Sequence, residues 1–333
     1  MASRGRTLGG GRLDADSPLL GGPLVDGAPA GEADRATAEP GFDARADDFS
    51  TRRPDDRVDL TELRELLPAP EQERALDDWG RSETLLKLAD PVLDFYYRYW
   101  FRVQHEGLDN VPSSGGALLV SNHSGALPPD APMIMQAIRR DHPVPRPLYM
   151  LGEHWFKGYP FVGMMANKLG MVAAHQRNAQ RLLRDEGRLA IVFPEGQKGS
   201  RKVLWQRYRL RRFGRGGFVR TAIRAGVPIV PIAVVGAEEA MPIFAHIRPA
   251  QRLTGLIYFP FNHAFPQFGP LAGLMYLPAK FKIHFLEPIS MDRYRPDAVD
   301  DAALIQAVAE DVRARIQTEL DDMLAERRSV WMG

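Results

Sequence analysis

The stretch ALLVSNHSGALPPDAPMIMQAI, residues 117–138, runs from a short apolar segment through a turn rich in Gly and Pro into a helical pattern. ALLVS has the length of a buried strand, and the predicted helix follows Asp130. Three more short apolar runs occur downstream, namely LAIVF at 189–193, IVPIAVV at 229–235 and FKIHFL at 281–286. Strands that alternate with helices predict an α/β fold.

Helices are expected between these strands and after the last one. Apolar spacing favours helices from Arg177 to Asp185 and from Gly216 to Ala225. Near the C-terminus, apolar residues recur every four positions among charged ones, which predicts one long amphipathic helix. These residues are Leu304, Val308, Val312, Ile316, Leu320 and Leu324.

The composition is that of a globular protein with a polar N-terminal segment. Of 333 residues, 44% are hydrophobic and 26% are charged, which excludes a collagen-like or wholly disordered chain. Residues 1–58 contain Phe42 and Phe49 as their only aromatics and are predicted to be a disordered tail. Residues 59–333 are predicted to form a single domain that begins with amphipathic helices and ends with the long helix.

Charge and cysteine content narrow the chemistry. Lys and Arg number 43 and Asp and Glu 42, so a surface for nucleic acid or anionic lipid must be a local patch. The absence of cysteine excludes disulfides, thiolate catalysis, zinc–thiolate sites and iron–sulfur clusters. No signal peptide or lipid anchor is recognised, and Ala2 stands where myristoylation requires Gly.

Two segments have features of membrane contact. In residues 88–104, Asp90, Asp94, Arg98 and Arg102 recur every four positions among aromatic residues. This helix either covers the core or lies on a bilayer with its rings at headgroup depth.

The second segment, residues 253–279, contains no Asp, Glu, Lys or Arg. Its prolines argue against a simple membrane span, because each removes a backbone donor. The segment is expected to insert into one leaflet, to line an acyl groove or to form an apolar loop over the core.

The first candidate catalytic group is His123, two residues beyond ALLVS. Reactive groups in α/β folds gather where strands end. A neutral imidazole can take a proton from an attacking hydroxyl near pH 7, and a carboxylate on its other nitrogen fixes the tautomer. Asp130 is the nearest such carboxylate, and its alternative role is to cap the helix that follows.

The second candidate site is FPEGQKGSRK, residues 193–202, at another strand end. Gly196 allows a tight turn after Glu195, and neighbouring cations suit a phosphate or another anionic headgroup. These cations are Lys198, Arg201 and Lys202. The alternative is an ordinary exposed turn.

The basic character continues through residues 201–220, where Trp205, Tyr208 and Phe213 are interleaved with Arg. Nucleic acid is not expected as a partner, because no nucleic-acid-binding motif is present. Anionic lipid or a coenzyme's phosphates fit the segment better, and a solvated helix face is the plain alternative. No metal-site or nucleotide-cofactor motif occurs.

Four segments resemble, in order, the motif blocks of the lysophospholipid (glycerolipid) acyltransferase family. They are NHSGALPPD, GMVAAHQRNAQRLL, FPEG and VPIVPIAVVG, within about residues 95 to 290. FGRGGFVRTAIRAGVPIVP also resembles the branch that includes mono- and diacylglycerol acyltransferases. The resemblance implies a central mixed sheet flanked by helices, and transfer of a fatty acyl group from acyl-CoA or acyl carrier protein to a glycerolipid hydroxyl.

The resemblance also implies roles for single residues. His123 matches the catalytic histidine, with Asp130 as the acid that orients it. Six residues separate the two here, whereas the family usually has four, so we hypothesise that Pro128 and Pro129 bulge the chain and return Asp130 to His123.

Acceptor binding is implied for Glu195 and Arg177. With Gly196, Lys198 and Arg201 they form the predicted acceptor- or phosphate-binding set. No metal and no cofactor are expected, since the acyl donor is a substrate. The expected partners are that donor and membrane lipids, on the cytoplasmic side of a membrane, with the protein peripheral or monotopic.

Two questions stay open at this point. The acceptor is either of lysophosphatidate type or a mono- or diacylglycerol. The same fold could instead serve as a lipid-binding scaffold with weak or no activity, or as a thioester hydrolase that activates water.

Overall fold

The computed structural model describes residues 76–124, 128–152, 160–246, 260–262 and 276–333. The predicted tail, residues 1–58, and the predicted start of order near Asp59 lie outside the described residues. Most of the apolar segment 253–279 lies outside them as well, so its membrane and loop interpretations stay predictions.

A seven-stranded mixed sheet forms the centre of the described fold. Its strand order is β1-β9-β6-β2-β5-β3-β4, and a two-stranded β7-β8 ribbon accompanies it. The strands are β1 (Gln104–Glu106), β2 (Ala117–Ser121), β3 (Leu148–Gly152), β4 (Met171–Ala173), β5 (Leu189–Val192), β6 (Ile229–Val235), β7 (Ile243–His246), β8 (Pro260–Asn262) and β9 (Lys282–Phe285). The four apolar runs are thus all strands, and the α/β fold with a mixed sheet is confirmed.

Strands β2 to β6 are parallel, and β9 runs antiparallel to β6. The carboxyl ends of the parallel strands therefore share one edge of the sheet. The helices are α1 (Glu83–Phe95), α2 (Asp130–Arg140), α3 (Pro160–Lys168), α4 (Gln176–Gln180), α5 (Gln197–Ser200), α6 (Gly217–Ala225), α7 (Ala237–Ala240) and α8 (Ala302–Glu326). A π-helical turn extends α1 over Tyr96–Trp100, and another extends α4 over Arg181–Asp185.

Strand β2 is buried on both faces, as its uninterrupted apolar sequence predicts. Leu118 and Val120 pack in one layer with α6 and α8. Ala117 and Leu119 pack in the opposite layer, which contains residues of α1 and α2. Helices thus cover both faces of the sheet. β2 lies in the middle of the core and ends at the carboxyl edge of the sheet.

The long C-terminal helix is present as α8. The residues at intervals of four in its middle, from Val308 to Leu320, are buried against the sheet. Leu304 and Leu324, near its ends, are partly buried. The helix begins at a side-chain cap, in which Asp301 accepts hydrogen bonds from the N–H groups of Ala303 and Leu304.

Helix α1 turns its acidic stripe toward the protein. Asp90 pairs with Arg140 at 2.9 Å, and Asp94 pairs with Arg140 at 2.8 Å. Because these carboxylates face α2, several apolar residues of the helix face outward. The exposed fractions are 75% for Leu88, 58% for Val92, 47% for Phe95 and 69% for Tyr99.

The other aromatic residues of this helix face inward. Tyr97 and Phe101 are buried, and Phe101 stacks on Phe281 at a centroid distance of 4.3 Å. The helix therefore covers the core with one side and leaves the side with Leu88, Val92, Phe95 and Tyr99 exposed. We call these four residues the apolar stripe.

Candidate active site

Both candidate sites of the sequence meet at the carboxyl edge of the sheet. β2 and β5 are adjacent and parallel, so the residues that follow them leave the sheet side by side. His123 lies two residues beyond β2, and Glu195 lies three residues beyond β5.

Asn122 fixes the end of β2. Its side-chain amide donates to the carbonyl of Val234 at 2.9 Å and accepts from the N–H of Val234 at 2.8 Å. This two-way bond ties β2 to β6 beyond the last ladder pair. Asn122 is 1% exposed, so the bonds satisfy an amide that would otherwise be costly to bury. They leave the next residue, His123, at a defined position.

The structure brings His123 and Asp130 together. Nδ1 of His123 lies 3.1 Å from Oδ2 of Asp130, whose side chain is fully buried. The same oxygen accepts from the N–H of Ser124 at 3.0 Å and from its hydroxyl at 3.1 Å. Asp130 is the first residue of α2 and not its cap, and the capping position belongs to Pro129. The positive end of the helix dipole lies beside this carboxylate and stabilises its charge.

The second ring nitrogen of His123 has the chemistry of a base. When Nδ1 donates its proton to Asp130, Nε2 carries the lone pair. Among the described residues, Nε2 has no hydrogen-bond partner. The ring stacks on Phe193 at a centroid distance of 4.4 Å, and the side chain is 15% exposed. The imidazole is thus held on one side and accessible on the other.

Glu195 lies inside the turn. Its side chain is 0% exposed. One carboxylate oxygen, Oε2, accepts from the N–H of Arg211 at 2.8 Å, and the other, Oε1, lies 3.3 Å from Nζ of Lys202 and 3.4 Å from the N–H of His123. The resemblance implies acceptor binding for Glu195, which stays a prediction. In the structure its carboxylate contacts protein groups, among them the backbone N–H of His123.

Lys202 joins Glu195 to a second buried acid. Its ammonium lies 2.8 Å from Oε1 of Glu238, in the short helix after β6. The side chains of Lys202 and Glu238 are 1% and 5% exposed. Burial raises the pKa of the Glu238 carboxyl to about 7, and the nearby Lys202 partly opposes that rise.

Two glycines allow this turn. Gly196 has a φ of 55° and a ψ of −147°, a backbone conformation that residues with a side chain rarely adopt. Gly199 is packed so closely that an added Cβ would lie 2.7 Å from Cβ of Glu195 and 3.1 Å from Cβ of His123. The turn after β5 therefore lies directly against the turn after β2.

A basic cavity adjoins this turn. It has a volume of about 410 Å³ and is lined by Lys198, Arg201, Arg211 and Arg212. Lys198 and Arg201 belong to the predicted phosphate-binding set. Arg211 and Arg212 belong to the basic segment, residues 201–220, for which the sequence predicts anionic lipid or a coenzyme's phosphates as partners. Four cations around one cavity suit an anionic ligand.

Arg177 lies apart from these groups. It is an exposed residue of α4, which follows β4 at the rim of the sheet. β4 is separated from β2 by β5 and β3, so three strand spacings of ~4.8 Å place the two strands roughly 14 Å apart. Arg177 shares the carboxyl edge with His123 but is not part of the basic cavity.

Comparisons with known proteins bear on this arrangement. Residues 102–235 match the sequence profile of the family described as Acyltransferase. An uncharacterised protein of Mycobacterium tuberculosis is 42% identical over 243 residues, which cover 73% of this chain and 67% of that protein. The matched profile spans β1 to β6 and therefore includes His123, Asp130, Glu195 and the basic cavity.

Two further comparisons extend the set. A Gallus gallus protein named DGAT1/2-independent enzyme synthesizing storage lipids is 28% identical over 221 residues, covering 65% of this chain and 60% of that protein. The crystal structure of the 1-acyl-sn-glycerophosphate acyltransferase PlsC from Thermotoga maritima matches with a TM-score of 0.47 and 19% identity, over 81% of this chain and 89% of that chain.

Proposed function

Because this chain belongs to the acyltransferase family, we propose that it transfers a fatty acyl group from an acyl thioester to a hydroxyl of a glycerolipid, with His123 as general base. The donor in this proposal is acyl-CoA or acyl carrier protein. The observation that carries the proposal is the 3.1 Å contact between Nδ1 of His123 and the buried carboxylate of Asp130 at the carboxyl edge.

The reaction needs no covalent enzyme intermediate. Nε2 of His123 takes the proton of the acceptor hydroxyl while the hydroxyl oxygen attacks the carbonyl carbon of the thioester. The tetrahedral intermediate collapses, the C–S bond breaks, and the imidazolium returns its proton to the thiolate that leaves. Asp130 stays ionised throughout, holding the tautomer and stabilising the imidazolium.

The basic cavity is proposed to bind a phosphate of one substrate. Its four cations lie on the turn after β5 and on residues 211–212, and the backbone N–H of Arg211 is hydrogen-bonded to Glu195. Either a lysophosphatidate-type acceptor or the phosphates of coenzyme A would supply that group. Arg177, at the rim of the same edge, is proposed to contact a more distant part of the acceptor.

One observation favours a phosphorylated acceptor, and another favours a mono- or diacylglycerol. The cation set favours a phosphorylated acceptor, because four cations that line one cavity attract an anionic group. The name of the chicken relative refers to storage lipids, which favours a mono- or diacylglycerol. The assay below separates these two acceptor classes.

The apolar stripe is proposed to rest on a lipid surface. Leu88, Val92, Phe95 and Tyr99 follow one another at helical spacing and are 47% to 75% exposed. Among the described residues, no helix is both long and apolar enough to cross a bilayer. A peripheral or monotopic position on the cytoplasmic side of a membrane would give the carboxyl edge access to lipid acceptors.

The test is acyl transfer from labelled oleoyl-CoA, and in parallel from oleoyl acyl carrier protein, to lysophosphatidate, monoacylglycerol and diacylglycerol in vesicles. His123→Gln is compared with His105→Gln. His105 is a matched control because its Nε2 also lies 3.1 Å from an aspartate, Asp141, but His105 is on β1, away from the candidate site. We expect a lipid product that His123→Gln abolishes and His105→Gln retains.

Other outcomes point to the alternatives. Free fatty acid released without dependence on acceptor would indicate a thioester hydrolase. Vesicle binding with no product from either donor, and no effect of His123→Gln, would indicate a lipid-binding scaffold.

A further inference from the structure

Two buried carboxylates and one buried ammonium connect separate elements at the carboxyl edge. Nζ of Lys202 lies 3.3 Å from Oε1 of Glu195 and 2.8 Å from Oε1 of Glu238. The three side chains are 5% exposed or less. Glu195 follows β5 and Glu238 follows β6, which flank β2 on its two sides. Lys202 therefore spans the strand that carries His123.

The same carboxylates hold the chain after Lys202. Oε1 of Glu238 accepts from the N–H of Tyr208 at 3.1 Å, and Oε2 of Glu195 accepts from the N–H of Arg211 at 2.8 Å. Residues 202–211, which we call the basic loop, are thus fastened at their start, middle and end. Arg211, a wall of the basic cavity, is placed by the last of these bonds.

The backbone of the basic loop requires such fastening. Tyr208 has a φ of 60°, an uncommon conformation for an aromatic residue, which persists only where the surroundings impose it. Its side chain is buried, and its hydroxyl accepts from the N–H of Gly236 at 2.7 Å and donates to Glu239. The loop is therefore anchored by its backbone to Glu238 and by its ring to the residues around the end of β6.

We infer that Lys202 is a positioning residue, which uses Glu195 and Glu238 to hold the basic loop and the His123 backbone in a fixed relation. The inference rests on the proposed function and deepens it, because it links the general base to the cavity for phosphate. Lys202 itself touches no reacting atom. It compensates two carboxylates that would otherwise be buried without a cation, which is costly.

The effect of replacing Lys202 follows from this arrangement. Lys202→Met leaves two buried acids without their cation, an arrangement that costs free energy until the turn opens to water. The basic loop then loses its start point. Because Glu195 also bonds the N–H of His123, the base moves with it, and kcat falls in addition to any change in KM.

The experiment compares Lys202→Met with Lys202→Arg, the double variant Lys202→Met/Glu238→Gln, and Lys87→Met as a control in α1. Hydrogen–deuterium exchange, thermal unfolding and acyl-transfer kinetics are measured on the full chain. The double variant removes one carboxylate together with the ammonium. The cluster of residues 195, 202 and 238 then has the same net formal charge as in wild type, but the bridge is absent.

We expect faster exchange in residues 203–213 and 121–124 of Lys202→Met, and at least a tenfold loss of kcat. In the double variant Tm recovers toward the wild-type value while kcat stays low, and Lys202→Arg recovers part of kcat. Recovery of both Tm and kcat in the double variant would show that Lys202 matters for stability alone and would overturn the inference, as would unchanged exchange in these residues.

Exchange also separates this inference from the proposed function. If wild type transfers no acyl group but Lys202→Met still loosens residues 203–213 and 121–124, the bridge stands and the proposed reaction fails. If Lys202→Met does not fold, the double variant Lys202→Met/Glu238→Gln decides the matter: wild-type exchange in residues 203–213 and 121–124 together with wild-type kcat overturns the inference, and raised exchange with lowered kcat supports it.

Discussion

Nδ1 of His123 lies 3.1 Å from Oδ2 of Asp130 although six residues separate them in the sequence. Asp130 begins α2, so the contact joins the end of a central strand to the start of a helix that packs on the sheet. The two groups are therefore held by the core and not by the loop alone. This holds the two side chains in the arrangement that the proposed base and its orienting acid require.

Asp130→Asn should abolish most of the activity with little change in KM. An Asn can donate to Nδ1 of His123, which places the ring proton on Nε2 and removes the lone pair that takes the acceptor proton in the proposed reaction. We expect kcat to fall by roughly 10²–10⁴-fold, as for the wrong tautomer in serine proteases. Steady-state kinetics measures this, with Asp141→Asn as the matched control because it pairs with His105 away from the carboxyl edge. Full turnover by Asp130→Asn, with His123→Gln inactive, would remove Asp130 from the mechanism.

The sequence predicts the positions of His123 and Glu195 at strand ends, but not their contacts with distant residues. His123 and Glu195 follow strands with uninterrupted apolar sequences, and parallel strands bring such ends together. Asn122 was within the same motif, but its bond to Val234 depends on β6 being the neighbour of β2. The contact of Lys202 with Glu238 joins residues 36 positions apart, and Glu238 in the sequence AEEA looks like an exposed helical acid.

The fold, too, could be predicted only where the sequence pattern is long enough. Long apolar runs predict β2, β5, β6 and β9, whereas β1 and β4 have three residues each and carry too little pattern to be recognised. The orientation of the aromatic helix could not be predicted either. Its outward side depends on the ion pairs of Asp90 and Asp94 with Arg140, which the sequence does not place opposite them.

Gly199→Ala should lower both stability and turnover. An added Cβ would lie 2.7 Å from Cβ of Glu195 and 3.1 Å from Cβ of His123, so the two turns must separate. Overpacking of this kind costs about 1–3 kcal/mol in unfolding free energy. Denaturant unfolding and kcat measure the two effects. Gly217→Ala is the control, since nothing lies within 4 Å of its added Cβ, and it should leave both quantities near wild type.

Glu238 should make stability depend on pH in a defined direction. Burial raises its folded-state pKa from 4.5 to about 7, so the folded protein keeps a proton that the unfolded chain releases in this range. Stability from this group is therefore fully present below about pH 4.5 and is lost as the pH rises to about 7. At about 1.4 kcal/mol per pKa unit, the loss amounts to a few kcal/mol.

The measurement is the unfolding free energy at pH 5 and pH 8 for wild type and Glu238→Gln. The unfolding free energy of Glu238→Gln minus that of wild type should rise by a few kcal/mol between pH 5 and pH 8. Wild type loses the contribution of Glu238 over this range, and the variant has no such contribution to lose. Asp311→Asn, in an exposed pair with Arg315, is the control and should show no such change. Parallel pH profiles for wild type and Glu238→Gln would contradict the raised pKa.

Val92→Asp should weaken vesicle binding without unfolding the protein. Val92 is 58% exposed in the apolar stripe, so the folded state loses little, but a charge at that position opposes burial in lipid. Losing the transfer of one Val side chain costs about 1.5 kcal/mol or more, so binding should fall at least about tenfold. Val144→Asp, at a 46% exposed valine after α2, is the matched control for vesicle co-sedimentation. Equal binding by the two variants would mean that the apolar stripe does not meet the membrane.

Arg211→Ala should raise KM for the phosphate-bearing substrate and leave the proposed general base, His123, in place. The bond to Glu195 comes from the backbone N–H of Arg211, so the substitution removes a cavity cation while the turn keeps its hydrogen bond. Loss of one charge-assisted contact of about 1.5–3 kcal/mol corresponds to roughly 10–150-fold in binding. Arg209→Ala, an exposed cation of the same loop that does not line the cavity, is the control. KM measured separately for acyl-CoA and for lysophosphatidate then shows which phosphate the cavity holds, because only the KM of that substrate should rise. Equal effects of the two variants on both substrates would reduce the cavity to a general basic surface.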